Sequence, residues 1–200
     1  MKKSIFYLPS PGDSSRVLYL TSIFPLKIRL KSLRLFCLFF FCIAFSQTSC
    51  KDKNAEAYYN KGNEKNNLQD YNGAIAEYDT AIESDPKYAF AYLNRGVSKE
   101  KLRDYQGAIS DYNMAIESDP KYAFAYFDRG IAKVKLQDYR GSIADYNMAI
   151  ELNPKYAFAY LNRGIAKYNI RDKEGACLDW SKAGELGNNE AYDYISKYCK

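Results

Sequence analysis

The sequence predicts an all-α solenoid of stacked helical hairpins, and three observations predict it. A 34-residue unit begins at Ala55, Ala89, Ala123 and Ala157 without an insertion, so Asp85-Pro86, Asp119-Pro120 and Asn153-Pro154 close the first three units in one register. A period of that size marks a row of helical pairs, each burying its apolar face against its neighbours. Inside each unit, small and apolar residues recur three and four apart in two separate stretches. Helix-starting and helix-ending residues stand between those stretches at the same place each time.

The first stretch of a unit puts Tyr92, Gly96 and Lys99 on one helical face, and the second does the same with Ala108, Tyr112 and Ala115. Two amphipathic helices per unit follow. Asp70, Asp104, Asp138 and Asp172 precede the second stretches and are good N-caps, because a short carboxylate accepts from the orphan N–H groups of a first turn. The Asx-Pro pairs end one hairpin and start the next. Column after column repeats: Tyr58, Tyr92, Tyr126 and Tyr160, then Gly62, Gly96, Gly130 and Gly164. Further on come Ala74, Ala108, Ser142 and Ala176, then Tyr78, Tyr112, Tyr146 and Trp180, then Ala81, Ala115, Ala149 and Ala183. A mid-helix glycine costs about 1 kcal/mol against alanine. Four at one column therefore need a packing reason, and the expected one is a partner helix approaching there through its alanines. The tyrosines of these columns read as hairpin core.

These columns resemble the tetratricopeptide repeat family from Ala55 to Gly187, with all eight signature columns present to compare in each unit. Two departures stand out. Lys61, Arg95, Arg129 and Arg163 occupy a column where the family usually has leucine, and the fourth unit lacks its closing proline. The cations recur with Asp111, Asp145 and Asp179 on the second helices, which suggests interhelical pairing, worth little per pair where exposed. The resemblance implies a right-handed superhelical solenoid with units at 55–88, 89–122, 123–156 and a degenerate 157–187, followed by a capping helix at 188–200.

Members of the family bind partners along a concave groove lined by the first helix of each hairpin. The positions that correspond here are Phe90, Leu93, Asn94 and Val97; Phe124, Phe127, Asp128 and Ile131; and Phe158, Leu161, Asn162 and Ile165. Phe90, Phe124 and Phe158 are the sharpest signal, because that column is commonly polar in related repeats. Leu93 and Val97 have a competing reading as packing between hairpins. The expected partner is an extended protein segment; the alternative is an envelope glycan stacked on the aromatic residues. Repeat proteins that clamp acidic C-terminal tails carry lysine or arginine at the fifth column and asparagine at the ninth. Here those columns read Tyr59, Leu93, Phe127, Leu161 and Asn63, Val97, Ile131, Ile165, so no such clamp is expected.

The chain's ends speak to location. Basic residues ending with Lys27, Arg29, Lys31 and Arg34 lead into an apolar run from Leu35 to Phe45 and then Ser46-Gln47-Thr48-Ser49-Cys50. This reads as a secretory signal over residues 1–49, its apolar run short of the ~20 residues that span a bilayer. The small residue before Cys50 resembles the lipobox of bacterial lipoproteins, although Gln47 stands where leucine is preferred. That resemblance implies lipidation at Cys50, a tether over 50–54 and, with Lys51 following, an outer-membrane address; cleavage without lipidation would instead release the protein. Cys177 and Cys199 are the cysteines of the mature domain. A closing helix from Glu190 to Cys199, antiparallel to one from Glu174 to Gly184, would bring them opposite each other for a disulfide, against the alternative of two separate thiols.

The formal charge of +5 belongs to the leader. Taking its seven Lys/Arg and one Asp from totals of 29 and 24 leaves 22 basic and 23 acidic residues, so no basic stripe for nucleic acid is expected. There is no histidine, no phosphate-cradling glycine loop and no nucleophile with a base in a recognisable arrangement. The sequence predicts neither catalysis, nor a cofactor, nor a metal.

Overall fold

The computed structural model describes residues 54–200. The expected leader and Cys50 lie outside them. The described residues form nine helices in antiparallel succession: α1 (54–67), α2 (Tyr71–Ser84), α3 (Ala89–Lys101), α4 (Tyr105–Ser118), α5 (Ala123–Lys135), α6 (Tyr139–Leu152), α7 (Ala157–Asn169), α8 (Lys173–Glu185) and α9 (Glu190–Tyr198). From α2 to α9 each helix packs on the next. Successive first helices also touch, α3 with α5 and α5 with α7, whereas successive second helices make no comparable contact. The stack therefore closes on its first-helix side, and that side is concave.

The punctuation works as its chemistry requires. Asp70, Asp104, Asp138 and Asp172 each accept from the N–H of the glycine three residues on, at 2.9 Å. At the other end of the second helices, the side chains of Asp85, Asp119 and Asn153 accept from Lys87, Lys121 and Lys155 N–H, folding the chain around the proline between them. The residue before each capping aspartate, Gln69, Arg103, Gln137 or Arg171, sits at a φ of 61 to 70°, a left-handed turn that no glycine marks in the sequence.

The glycine column has a different partner from the one expected. A Cβ on Gly96 would lie 2.6 Å from the Tyr112 ring, and Gly130 and Gly164 meet Tyr146 and Trp180 in the same way. The second helix presents an aromatic ring there, not an alanine; Ala108 and Ala115 flank the ring and let the helices close around it. Tyr78, Tyr112, Tyr146 and Trp180 are all at most 1% exposed, and they are the largest side chains wholly inside the stack.

The cation column is structural and stronger than surface pairing. The Arg95 guanidinium donates twice to Asp111, at 3.0 and 2.6 Å, while Lys99 Nζ adds a third contact at 2.8 Å. Arg129 and Lys133 hold Asp145, and Arg163 and Lys167 hold Asp179, with the same geometry. These three carboxylates have side chains only 3 to 6% exposed. Removing one partner of such a pair costs about 3–5 kcal/mol, far above a surface bridge. A further N–H of each arginine reaches the preceding second helix, at Asp79, Asn113 and Asn147, so one side chain ties three helices. The guanidinium also lies over Tyr92, Tyr126 or Tyr160 of its own helix, 5.3 to 5.4 Å from the ring centre. Leucine in this column could do none of this.

At the C-terminal end, α9 lays Tyr194 on Trp180, with ring centres 5.1 Å apart, and buries Ala191 beside Ala183. A disulfide joins Cys177 of α8 to Cys199, with Cα atoms 5.8 Å apart. No described helix is long and apolar enough to cross a membrane.

Candidate functional site

The concave face is lined by a continuous row of aromatic rings. Starting at Tyr59 on α1, ring centres follow one another through Tyr88 (5.1 Å), Phe90 (6.2 Å), Tyr122 (5.2 Å), Phe124 (6.2 Å) and Tyr156 (5.4 Å). From Tyr88 onward the contacts are edge to face, the arrangement in which a positive ring edge meets a negative ring face. The row exists because Tyr-Ala-Phe stands at each of the three junctions between hairpins: the tyrosine closes the turn before a first helix and the phenylalanine occupies that helix's first turn. Phe90 and Phe124 then reach the tyrosines of the following turns, Tyr122 and Tyr156.

Phe90 and Phe124 remain 51 and 52% exposed despite these contacts, and Phe158, beyond the end of the row, is 56% exposed. Leu93 and Leu161 do not line the surface. They are 7 and 3% exposed and belong to the core, where Leu93 packs with Ala125 and Ala132 of the next first helix. Their assignment to the groove is corrected accordingly: the next first helix covers Leu93, and α8 and the closing helix α9 cover Leu161. Phe127 in the same column is half-buried, its ring 4.7 Å from Tyr156. Val97, Ile131 and Ile165 are half-buried as well. Tyr88, Tyr122 and Tyr156 were not among the sequence-derived groove residues, although their repetition just before each Ala-Phe was a readable signal.

Beneath the rings runs a polar floor that differs from one hairpin to the next. At the N-terminal end Asn94 donates to Asn63 Oδ1 (2.8 Å) and to the Tyr59 hydroxyl (3.1 Å), and the Tyr78 hydroxyl donates to Asn63 (2.8 Å). Burial pushes the Tyr78 phenol up to about 12. At the far end Asn162 donates to the Phe158 carbonyl at 2.8 Å. The middle is acidic. The Tyr112 hydroxyl donates to Glu100 at 3.3 Å, and burial holds the Glu100 carboxyl above the usual range. Asp128 is pushed up to about 7, first by burial and then by the charge of Glu100. Among the described residues no donor or cation pairs with Asp128. The Tyr146 hydroxyl is wholly buried and also without a partner.

A family model described as "TPR repeat" matches residues 62–103 and 130–170, and one described as "Tetratricopeptide repeat" matches residues 89–122. This is a tetratricopeptide repeat protein. The repeat chain is similar in fold to the crystal structure of MamA, with a TM-score of 0.65 and 24% identity over 70% of this chain and 81% of that one. It is also similar to the first repeat domain of Spaghetti (RPAP3) bound to the HSP90 peptide SRMEEVD, at TM-score 0.59 and 27% identity over 60% of this chain and 95% of that one. The Arabidopsis OM64 repeat domain aligns at TM-score 0.55 and 28% identity, covering 61% and 98%. No curated protein matches the chain at the sequence level.

Among the described residues no group of His, Cys, Asp and Glu side chains is placed to hold a metal ion. Of the acidic residues, Asp70, Asp104, Asp138 and Asp172 cap the second helices and Asp111, Asp145 and Asp179 sit in the Arg–Asp ties, where they maintain the fold.

Proposed function

We propose that this repeat protein is a non-catalytic scaffold or adaptor of the bacterial cell envelope, holding an extended segment of a partner protein along the aromatic row of its concave face. The observation that carries the reading is the exposure of Phe90, Phe124 and Phe158 at one column of three successive hairpins. A fold that seals tyrosine and tryptophan inside every hairpin leaves about half of each of these rings in water, a cost that a partner's apolar side chains would recover. First helices packed about 8–10 Å apart present the rings at a spacing that an extended chain, rising about 3.3 Å per residue, meets at every third residue. The similar Spaghetti domain, solved with a bound peptide, supports a peptide as the occupant.

The envelope address rests on the leader and on the lipobox-like Ser49-Cys50, and the Cys177–Cys199 disulfide fits an oxidising compartment. Palmitate labelling that is lost in Cys50→Ala supports the lipid anchor; labelling that persists rejects it. For the groove, Phe90→Ser, Phe124→Ser and Phe158→Ser combined should abolish peptide binding from a random library displayed against the full chain, with circular dichroism unchanged. Undiminished binding by the triple variant rejects the groove. Binding of envelope glycans in place of peptides would move the occupant to the glycan class.

A further inference from the structure

Asp128, on the first helix α5, differs from the carboxylates of the second helices that the stack ties down. Asp111, Asp145 and Asp179 are each met by an arginine and a lysine, whereas Asp128 is withdrawn from water with no compensating cation among the described residues. Its equivalents in the flanking hairpins are asparagines, and both find partners inside the protein: Asn94 in Tyr59 and Asn63, Asn162 in the Phe158 carbonyl. Placing a second carboxylate, Glu100, in its field raises the cost further.

A second observation marks the same spot. The second-helix aromatic column sends its hydroxyls toward the polar floor: Tyr78 reaches Asn63, and Tyr112 reaches Glu100. Tyr146 continues that column, lies in the field of Glu100 and Asp128, and is 0% exposed, yet its hydroxyl has no partner. Its ring sits beside that of the half-buried Phe127, with centres 5.9 Å apart. Glu100 itself is met by the Tyr112 hydroxyl and by the charges of Lys101 and Lys135, so the uncompensated groups are the Asp128 carboxylate and the Tyr146 hydroxyl, which a fold does not bury without cost.

We propose that the middle of the groove, around Asp128 of α5, Glu100 of α3 and the unpartnered Tyr146 hydroxyl, receives one lysine or arginine side chain of the bound segment. The inference rests on the groove reading above and refines it: the partner presents a basic residue flanked by apolar residues that seat on the ring row. The N–H groups of the incoming cation donate to the Asp128 and Glu100 carboxylates and to Tyr146 Oη, replacing the water that burial has removed. The charge sense is opposite to what would hold a peptide such as SRMEEVD, whose glutamates and aspartate the two carboxylates would repel.

The test selects binders from a random displayed peptide library on three forms of the full chain: wild type, Asp128→Asn, and the triple Phe→Ser variant. Asparagine already occupies this column at Asn94 and Asn162, so Asp128→Asn is expected to keep the fold, with circular dichroism as the check. Wild type should enrich peptides with a lysine or arginine at a fixed place between apolar residues. Synthetic versions of those peptides should bind Asp128→Asn about 10-fold or more weaker, and the wild-type preference should weaken with salt. Enrichment without a basic residue, or equal binding of the basic peptides by Asp128→Asn, overturns the cation site while the groove stands. Enrichment of nothing by wild type, or of the same peptides by the triple variant, overturns the groove and the site with it.

Discussion

Asp145 and Asp128 lie on adjacent helices of one hairpin and have opposite surroundings. Asp145 is sealed inside and receives Arg129 through two N–H groups, at 3.0 and 2.6 Å, and Lys133 at 2.8 Å. Asp128 faces the groove, half-buried, and receives nothing from the described residues. The difference separates what the repeat needs from what its surface offers. A buried charge that serves the stack is matched within the stack and recurs in three successive hairpins; a charge that appears once, unmatched, on the inner face has a role the stack does not explain.

The largest test of that contrast is Asp145→Ala, which leaves the Arg129 guanidinium buried without its counter-charge. It should lower stability by about 3–5 kcal/mol in urea unfolding. The double replacement Arg129→Leu with Asp145→Leu removes both charges of the bidentate pair, leaving the part-exposed Lys133 to turn its ammonium to water, and should recover about half of that loss or more, since the penalty comes mostly from the orphaned guanidinium. A double variant no more stable than the single one would break the account of the pair.

Asp128→Asn should move stability the other way. A carboxyl titrating near 7 in the folded chain and near 4 when unfolded gives the folded state the extra proton between those values. Stability therefore falls as pH rises from about 4 to about 7. The variant escapes this loss. It should match wild type near pH 4 and exceed it by on the order of 2 kcal/mol at pH 8, after discounting for the water that still reaches the site. Equal stability of the two proteins at both pH values would show that Asp128 carries no strain. Glu100→Gln should act in the same direction and less, lowering the Asp128 midpoint by removing the second cause of its rise.

The same contrast explains what could be read in the sequence. The starts of α3, α5 and α7 at Ala89, Ala123 and Ala157, the four aspartate caps and the Asx-Pro turns all follow from local chemistry repeated at one spacing. Recurrence made the Arg–Asp columns visible too, but not their burial, which depends on a third helix closing over them. The glycine notch was legible as a gap and not by its filler, because Tyr112 and Ala108 share a helical face and only packing decides which enters. Leu93 and Phe127 share a column and part ways because the neighbouring first helix covers one more than the other. Asp128 was legible as a groove residue, whereas its isolation depends on Glu100 and Tyr146, contributed by the preceding hairpin and by its own second helix.

The most direct measurement is the titration of the Asp128 side-chain carboxyl, followed by carbon NMR in the full chain with and without a basic peptide selected on the groove. The account predicts a midpoint near 7 for the free chain, falling when the peptide is added as its cation stabilises the carboxylate. A free-chain midpoint near 4, the ordinary aspartate value, or a midpoint that the bound peptide leaves in place, would contradict it.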